Sequence, residues 1–131
     1  MAEDKKYKIL IIDDDSFLID MYALKFSESN FDVETALGSD LALDKLNNGL
    51  NPDIILVDIV MPKMDGFELL EKINKSNLAQ NARKIILSNR GQKSDIERGK
   101  ELGAAGYIVK ASATPSEVIT QVREILKQES L

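Results

Sequence analysis

The sequence predicts an α/β fold: a doubly wound parallel sheet with helices on both faces. Three observations carry that expectation. Short runs of strand length alternate five times with helix-length amphipathic stretches. Most of these runs are apolar at successive positions, as strands buried on both faces are. Four of the five end on a polar residue, Asp13, Asp58, Ser88 or Lys110. Helices covering both sides of such a sheet are the arrangement that buries it.

The elements follow in order. Residues 7–12, YKILII, form the first strand and are closed by three aspartates. Ser16 is the predicted cap of a helix over about residues 17–28, whose stripe is marked by Phe17, Met21 and Leu24. Residues 31–36, FDVETA, alternate apolar with acidic or hydroxyl side chains, which suits a strand nearer an edge. Ser39 is the predicted cap of the next helix, which offers Leu41, Ala42, Leu43 and Leu46 to the core. Pro52 then precedes the wholly apolar strand 54–57, IILV, which delivers Asp58.

Gly66 precedes an amphipathic segment over 67–74 with Leu70 and Ile73 inward. KIILS at 84–88 is a fourth strand, 94–102 a helix, and GYIVK at 106–110 a fifth strand. The last helix has the clearest start: Thr114 as cap, Pro115 at the first helical position and Glu117 three residues after the cap. Val118, Val122, Ile125 and Leu126 share one of its faces.

A chain of 131 residues, 44% of them hydrophobic, predicts one domain with its core over about 7–127. A net charge of −5 argues against a broad basic surface for nucleic acid. There is no apolar run long enough to cross a bilayer, and MAEDKKYK opens charged, unlike a signal peptide. A soluble, cytoplasmic protein is therefore expected. With no cysteine and no histidine, thiol chemistry, Cys/His zinc sites and His-based triads are excluded. Chemistry must use carboxylates, hydroxyls and lysines, and a bound metal would be a hard cation held by oxygen, such as Mg²⁺.

In doubly wound sheets ligands bind at the carboxyl ends of the strands, near the point where strand order reverses. Those ends carry Asp13, Asp14, Asp58, Ser88 and Lys110. Two carboxylates about 5 Å apart repel by roughly 3 kcal/mol at an effective dielectric near 20, so three in one cleft call for a cation. Mg²⁺ takes one or two carboxylates and leaves room for a phosphate oxygen, which Ser88 and Lys110 could contact. Asp58, alone at the end of its strand, is then a candidate for an aspartyl-phosphate.

At these residues the chain resembles the receiver domains of two-component response regulators. The resemblance rests on IIDDD, VDIVMPKMDG, LSN and YIVK, in that order, and spans nearly the whole chain. It implies a flavodoxin-like sheet of strand order 2-1-3-4-5. It also implies Asp58 as phosphoacceptor, Asp13 and Asp14 as the acid pair binding Mg²⁺, and the backbone carbonyl of Val60 as a further ligand. Ser88 would be the switch hydroxyl, Lys110 the phosphate-contacting lysine, and Tyr107 the aromatic whose orientation reports activation. Pro62 and Gly66 would fall in the loop that shapes the site. The implied partners are a sensor histidine kinase or phosphotransfer protein, and a downstream protein on the face of the fourth helix, fifth strand and fifth helix. The expected state is a monomer or a weak phosphorylation-dependent dimer, catalysing only its own phosphorylation and dephosphorylation. No output domain is expected in this chain, which is either a stand-alone receiver or the receiver portion of a longer protein.

Three departures from the family pattern stand out. Ala111 follows Lys110 where the family commonly has a cis proline, so a trans bond and a differently shaped loop are expected. Asn89 and Arg90 follow the serine where a smaller alanine is frequent, and Asp15 is an extra acid expected at the surface. Asp65 and Gly66 read as a turn with no chemistry of their own. Two rival readings remain: a receiver fold that binds partners without phosphorylation, and a phosphohydrolase of the haloacid dehalogenase type using Asp13 and Asp15. Ser16 stands where the latter would have glycine.

Overall fold

The computed structural model describes residues 5–128; residues 1–4 of the charged opening, and residues 129–131, lie outside it. The described elements are β1 (Lys8–Asp13), α1 (Ser16–Glu28), β2 (Asp32–Leu37), α2 (Ser39–Asn47) and β3 (Ile54–Val57), then α3 (Gly66–Lys75), β4 (Arg83–Ser88), α4 (Lys93–Glu101), β5 (Ala104–Val109) and α5 (Pro115–Gln128). The strands form one parallel sheet in the order β2-β1-β3-β4-β5. That is the flavodoxin-like order, and it reverses direction between β1 and β3.

The central strands alternate their apolar side chains between two cores. Ile9, Ile11, Ile54, Leu56, Ile85 and Leu87 face α1 and α5, where Ile19, Phe26, Val118 and Val122 meet them. Leu10, Ile12, Ile55, Val57 and Ile86 face the opposite side and pack with Leu46, Phe67, Leu70 and Ile73 of α2 and α3. Continuous apolar runs are what a sheet covered on both sides demands. The alternating strand β2 lies at an edge, as its pattern predicts.

Several local expectations are corrected. On α1 the buried residues are Ile19, Tyr22 and Phe26, while Phe17 and Leu24 are exposed at 78% and 59%. This helix is apolar on more than one side, so periodicity alone could not choose the face that meets the sheet. Its cap is Asp15 and not Ser16: the Asp15 carboxylate accepts from the N–H groups of Phe17 and Leu18. Asp15 is exposed, as expected, but it has this structural task.

On α2 the cap position belongs to Gly38, and the buried Ser39 hydroxyl instead donates to the carbonyl of Met64 at 2.8 Å. Ala42 and Leu46 of this helix are buried and Leu41 is not. The cap of α5 is as predicted, with Glu117 accepting from the Thr114 N–H and Thr114 accepting from the Glu117 N–H. β5 begins at Ala104 and ends at Val109, so Lys110 leaves the strand and opens a short 3₁₀ turn, Lys110–Ser112. No cis peptide bond occurs among the described residues, which matches the trans expectation at Ala111.

Candidate functional site

β1 and β3 are neighbours in register, Ile12 opposite Val57, so their carboxyl ends bring Asp13 and Asp58 side by side. Both are buried, at 4% and 7% exposure, whereas Asp14 is exposed. Carboxylate oxygens of Asp13, Asp14 and Asp58 all lie within 4.8 Å of one another. From the far side of the sheet Lys110 reaches in, its Nζ 2.8 Å from Asp13 Oδ2 and 3.1 Å from Asp58 Oδ2. The Asp15 N–H donates to Asp13 Oδ1 and the Val60 N–H to Asp58 Oδ1, so each buried carboxylate is held at both oxygens.

Three carboxylates against one ammonium leave the cleft two negative charges in surplus. Burial pushes the Asp13 carboxyl above its usual range, opposed by the Lys110 hydrogen bond and aided by the Asp58 charge. For Lys110 burial works downward, but the Asp13 hydrogen bond and the Asp58 and Asp13 charges outweigh it and hold the ammonium above its usual value. The Asp13 shift is thus set first by burial, and the Lys110 shift by its two carboxylate neighbours. A hard divalent cation fits this donor set: all ligand atoms are oxygens, and its charge equals the surplus.

The loop that follows β3 is set by Gly66, expected as a turn residue and, from the family resemblance, as part of the loop that shapes the site. A Cβ on Gly66 would stand 2.2 Å from the carbonyl oxygen of Asp58 and 2.8 Å from Ile59 Cα. The Gly66 N–H donates to the Ile59 carbonyl at 2.8 Å, tying the start of α3 to the backbone beside Asp58. Asp65 caps α3, with Glu68 completing the reciprocal pair. The Asp-x-x-Glu spacing is a legible cap signal. The close approach of Gly66 is not legible, because it depends on where β3 sits.

Ser88 is fully buried at the end of β4, the strand beside β3, and its Oγ accepts from the Arg90 N–H at 3.3 Å. Tyr107 is half-buried on β5 opposite Ile86, and its hydroxyl donates to the Arg90 carbonyl. Burial, with the charge of Asp95, raises the Tyr107 pKa, so its hydroxyl stays a donor at neutral pH. The carboxyl ends of four strands therefore assemble Asp13, Asp14, Asp58, Ser88 and Lys110 on one edge of the sheet. Val60 and Pro62 are exposed in the loop over it.

Residues 9–123 match the family model described as response regulator receiver domain. The chain belongs to that family, the receiver domains of two-component systems. It is 31% identical over 124 residues to the alkaline phosphatase synthesis transcriptional regulatory protein PhoP of Bacillus subtilis, covering 95% of this chain and 50% of that one. It is 35% identical over 121 residues to a transcriptional regulatory protein CpxR homolog of Haemophilus influenzae, covering 92% and 51%. The chain thus spans about half the length of the curated relatives it matches. Among solved structures, a CheY-like receiver domain protein from Methanospirillum hungatei superposes with a TM-score of 0.83 at 28% identity, covering 96% of this chain and 98% of that one. The chemotaxis protein CheY4 of Vibrio cholerae gives 0.84 at 25% identity, covering 92% and 99%. No helix among the described residues is long and apolar enough to cross a membrane.

Proposed function

We propose that this domain is the phosphoacceptor switch of a two-component relay, taking a phosphoryl group on Asp58 from a phosphohistidine of a sensor kinase or phosphotransfer protein. The observation that carries the reading is the Lys110 ammonium bridging Asp13 and Asp58 beside a third carboxylate. An Asp58 oxygen forms the bond to phosphorus while the N–P bond of the donor imidazole breaks, the electron pair staying on nitrogen. Asp13, Asp14 and Asp58, with the Val60 carbonyl, are the residues that would hold Mg²⁺, which neutralises phosphoryl oxygens when bound. Lys110 supplies a fixed positive charge to the phosphoryl group, and the Val60 N–H orients the Asp58 carboxylate.

The new phosphoryl group attracts the Ser88 hydroxyl, the loop over residues 88–92 closes, and Tyr107 shifts inward. The face of α4, β5 and α5 then changes its affinity for a protein partner, as a population shift of a few kcal/mol. A groove of about 250 Å³ between α4 and β5, lined by Ile96, Gly99, Lys100 and Tyr107 among others, supports that face as the receiving surface. At the opposite end of the reaction, Phe17, Leu37, Leu41 and Val60 are large apolar side chains exposed on the segments around the strand ends. The names of the curated relatives support transcriptional control as the downstream process.

The test is intact mass after incubation with Mg²⁺ and acetyl phosphate, for the wild type and Asp58→Asn. One phosphoryl gain in the wild type, absent in the variant, is the expected result. A wild type that binds neither the phosphoryl group nor Mg²⁺ would leave the phosphorylation-independent binding module as the better reading.

A further inference from the structure

The turn between β2 and α2 is bonded to both segments that carry the candidate metal ligands. The Gly38 N–H donates to the carbonyl of Asp13 at 2.9 Å. One residue on, the buried Ser39 hydroxyl donates to the carbonyl of Met64 at 2.8 Å. Met64 belongs to the loop after β3 that also carries Val60. Within that loop the Met64 N–H donates to the Pro62 carbonyl, and the Gly66 N–H to that of Ile59, both at 2.8 Å. These bonds stay between β3 and the start of α3, whereas Ser39 ties the loop to a different helix. Packing reinforces the tie: Met61 is buried in the core cluster that holds Ala42 and Leu46 of α2, with Met64 packed against it.

This loop depends on an outside hold. Lys63, the residue before Met64, sits at φ 68°, a left-handed conformation that a non-glycine residue keeps only where its surroundings impose it. Val60 is 53% exposed, and its N–H is committed to Asp58 Oδ1. The direction of the Val60 carbonyl is therefore set by the course of the chain from Met61 to Met64, which is the stretch that Ser39 fastens at its far end.

We infer that Ser39 is a positioning residue for the metal site, its hydroxyl fixing the loop that carries the Val60 carbonyl and thereby favouring Mg²⁺ over Ca²⁺. The inference rests on the reading of Asp13, Asp14, Asp58 and Val60 as the residues that would hold Mg²⁺. Mg²⁺ demands near-octahedral placement of its oxygens, whereas Ca²⁺ accepts a larger and more flexible set. A hydrogen bond that keeps a ligand segment in place therefore matters more for the smaller ion. The experiment titrates Mg²⁺, and separately Ca²⁺, into the wild type, Ser39→Ala and Asn74→Ala, following amide NMR shifts well below the melting temperature of each. Asn74 is the control: its side chain also donates to a backbone carbonyl outside its own helix, that of Leu102 at 2.9 Å, but at the end of α3 away from the site.

In Ser39→Ala the Mg²⁺ dissociation constant should rise about three- to tenfold, the range one hydrogen bond supplies, and that of Ca²⁺ by less than about twofold. Asn74→Ala should bind both ions as the wild type does. Should Ser39→Ala not fold, Ser39→Cys, of similar shape and with a weaker donor, is read by the same measure. Unchanged Mg²⁺ binding in the folded Ser39 variant, an equal loss for both ions, or an equal loss in Asn74→Ala overturns the role of Ser39 and leaves the phosphoacceptor reading standing. A folded wild type that binds neither ion overturns the metal site and the inference with it.

Discussion

Replacing Gly66 by alanine tests whether the close packing of α3 against the end of β3 is what holds Asp58 in place. The added Cβ would meet the Asp58 carbonyl oxygen at 2.2 Å, the Ile59 Cα at 2.8 Å and the Asp58 carbonyl carbon at 3.0 Å. The first distance is about 1 Å short of an ordinary contact, and every opposing atom is backbone, with no flexible side chain to swing aside. Either α3 retreats or the Asp58 peptide moves. Forced overpacking of this kind costs about 1–3 kcal/mol, and loss of the Gly66 N–H bond to Ile59 adds about 1 kcal/mol. Helix propensity pulls the other way, since alanine is favoured over glycine by up to about 1 kcal/mol in a helix interior and by less at its first position. With about 0.5 kcal/mol returned by propensity at this first position, the net expectation is a loss of about 1.5–3.5 kcal/mol. With an m-value of about 1.5 kcal/mol/M, the urea midpoint falls by roughly 1.0–2.3 M. Equilibrium unfolding by circular dichroism measures this, and the acetyl phosphate reaction of the folded variant should be slower because Asp58 is displaced from Lys110. A midpoint equal to or above that of the wild type would refute the reasoning, because it would mean that the backbone there yields without cost.

Two further substitutions follow from the local structure. Asp15→Ala removes the acceptor for the Phe17 and Leu18 N–H groups and should destabilise by about 1 kcal/mol, seen as a lower melting temperature, whereas Asp15→Asn should be nearly neutral. Lys84 is buried on β4 at 9% exposure, and burial lowers its pKa from the ordinary 10.5. The unfolded chain therefore binds more protons between the lowered value and 10.5, so this residue's contribution makes stability rise with pH across that window. Lys84→Met should be more stable than the wild type at pH 7, and its advantage should shrink as pH approaches 10.5; an advantage independent of pH would exclude burial of the charge as the cause.

Much of the fold is legible in local pattern. The apolar runs 9–12, 54–57 and 85–87 that lead to Asp13, Asp58 and Ser88 are strands because nothing in them tolerates water on either face, and the cap of α5 is spelled by Thr114, Pro115 and Glu117. The candidate site is legible for the same reason: parallel strands share a direction, so residues at their carboxyl ends must meet at one edge of the sheet. Asp13, Asp14, Asp58, Ser88 and Lys110 are found there without knowing any side-chain position.

What escapes the pattern depends on neighbours distant in the chain. Which side of α1 is buried is such a case, since Phe17 and Leu24 fit a helical stripe with Met21 as well as Ile19, Tyr22 and Phe26 do, yet of the expected three only Met21 packs against the core. The sheet beneath selects the set that fills its surface. Ser39 looks like a cap, yet its hydroxyl is taken by Met64, 25 residues away. The need for glycine at position 66 comes from Asp58 backbone atoms that only the packing of α3 brings near. Arg90 stands out in the sequence only as a departure from the family pattern, and it becomes a junction of Ser88, Tyr107 and Asp95 when the loop folds over the end of β4. Hydrophobic periodicity and strand direction are properties of short segments and can be read along the chain, whereas steric clashes and ion-pair geometry are properties of atoms that the chain brings together only once it has folded.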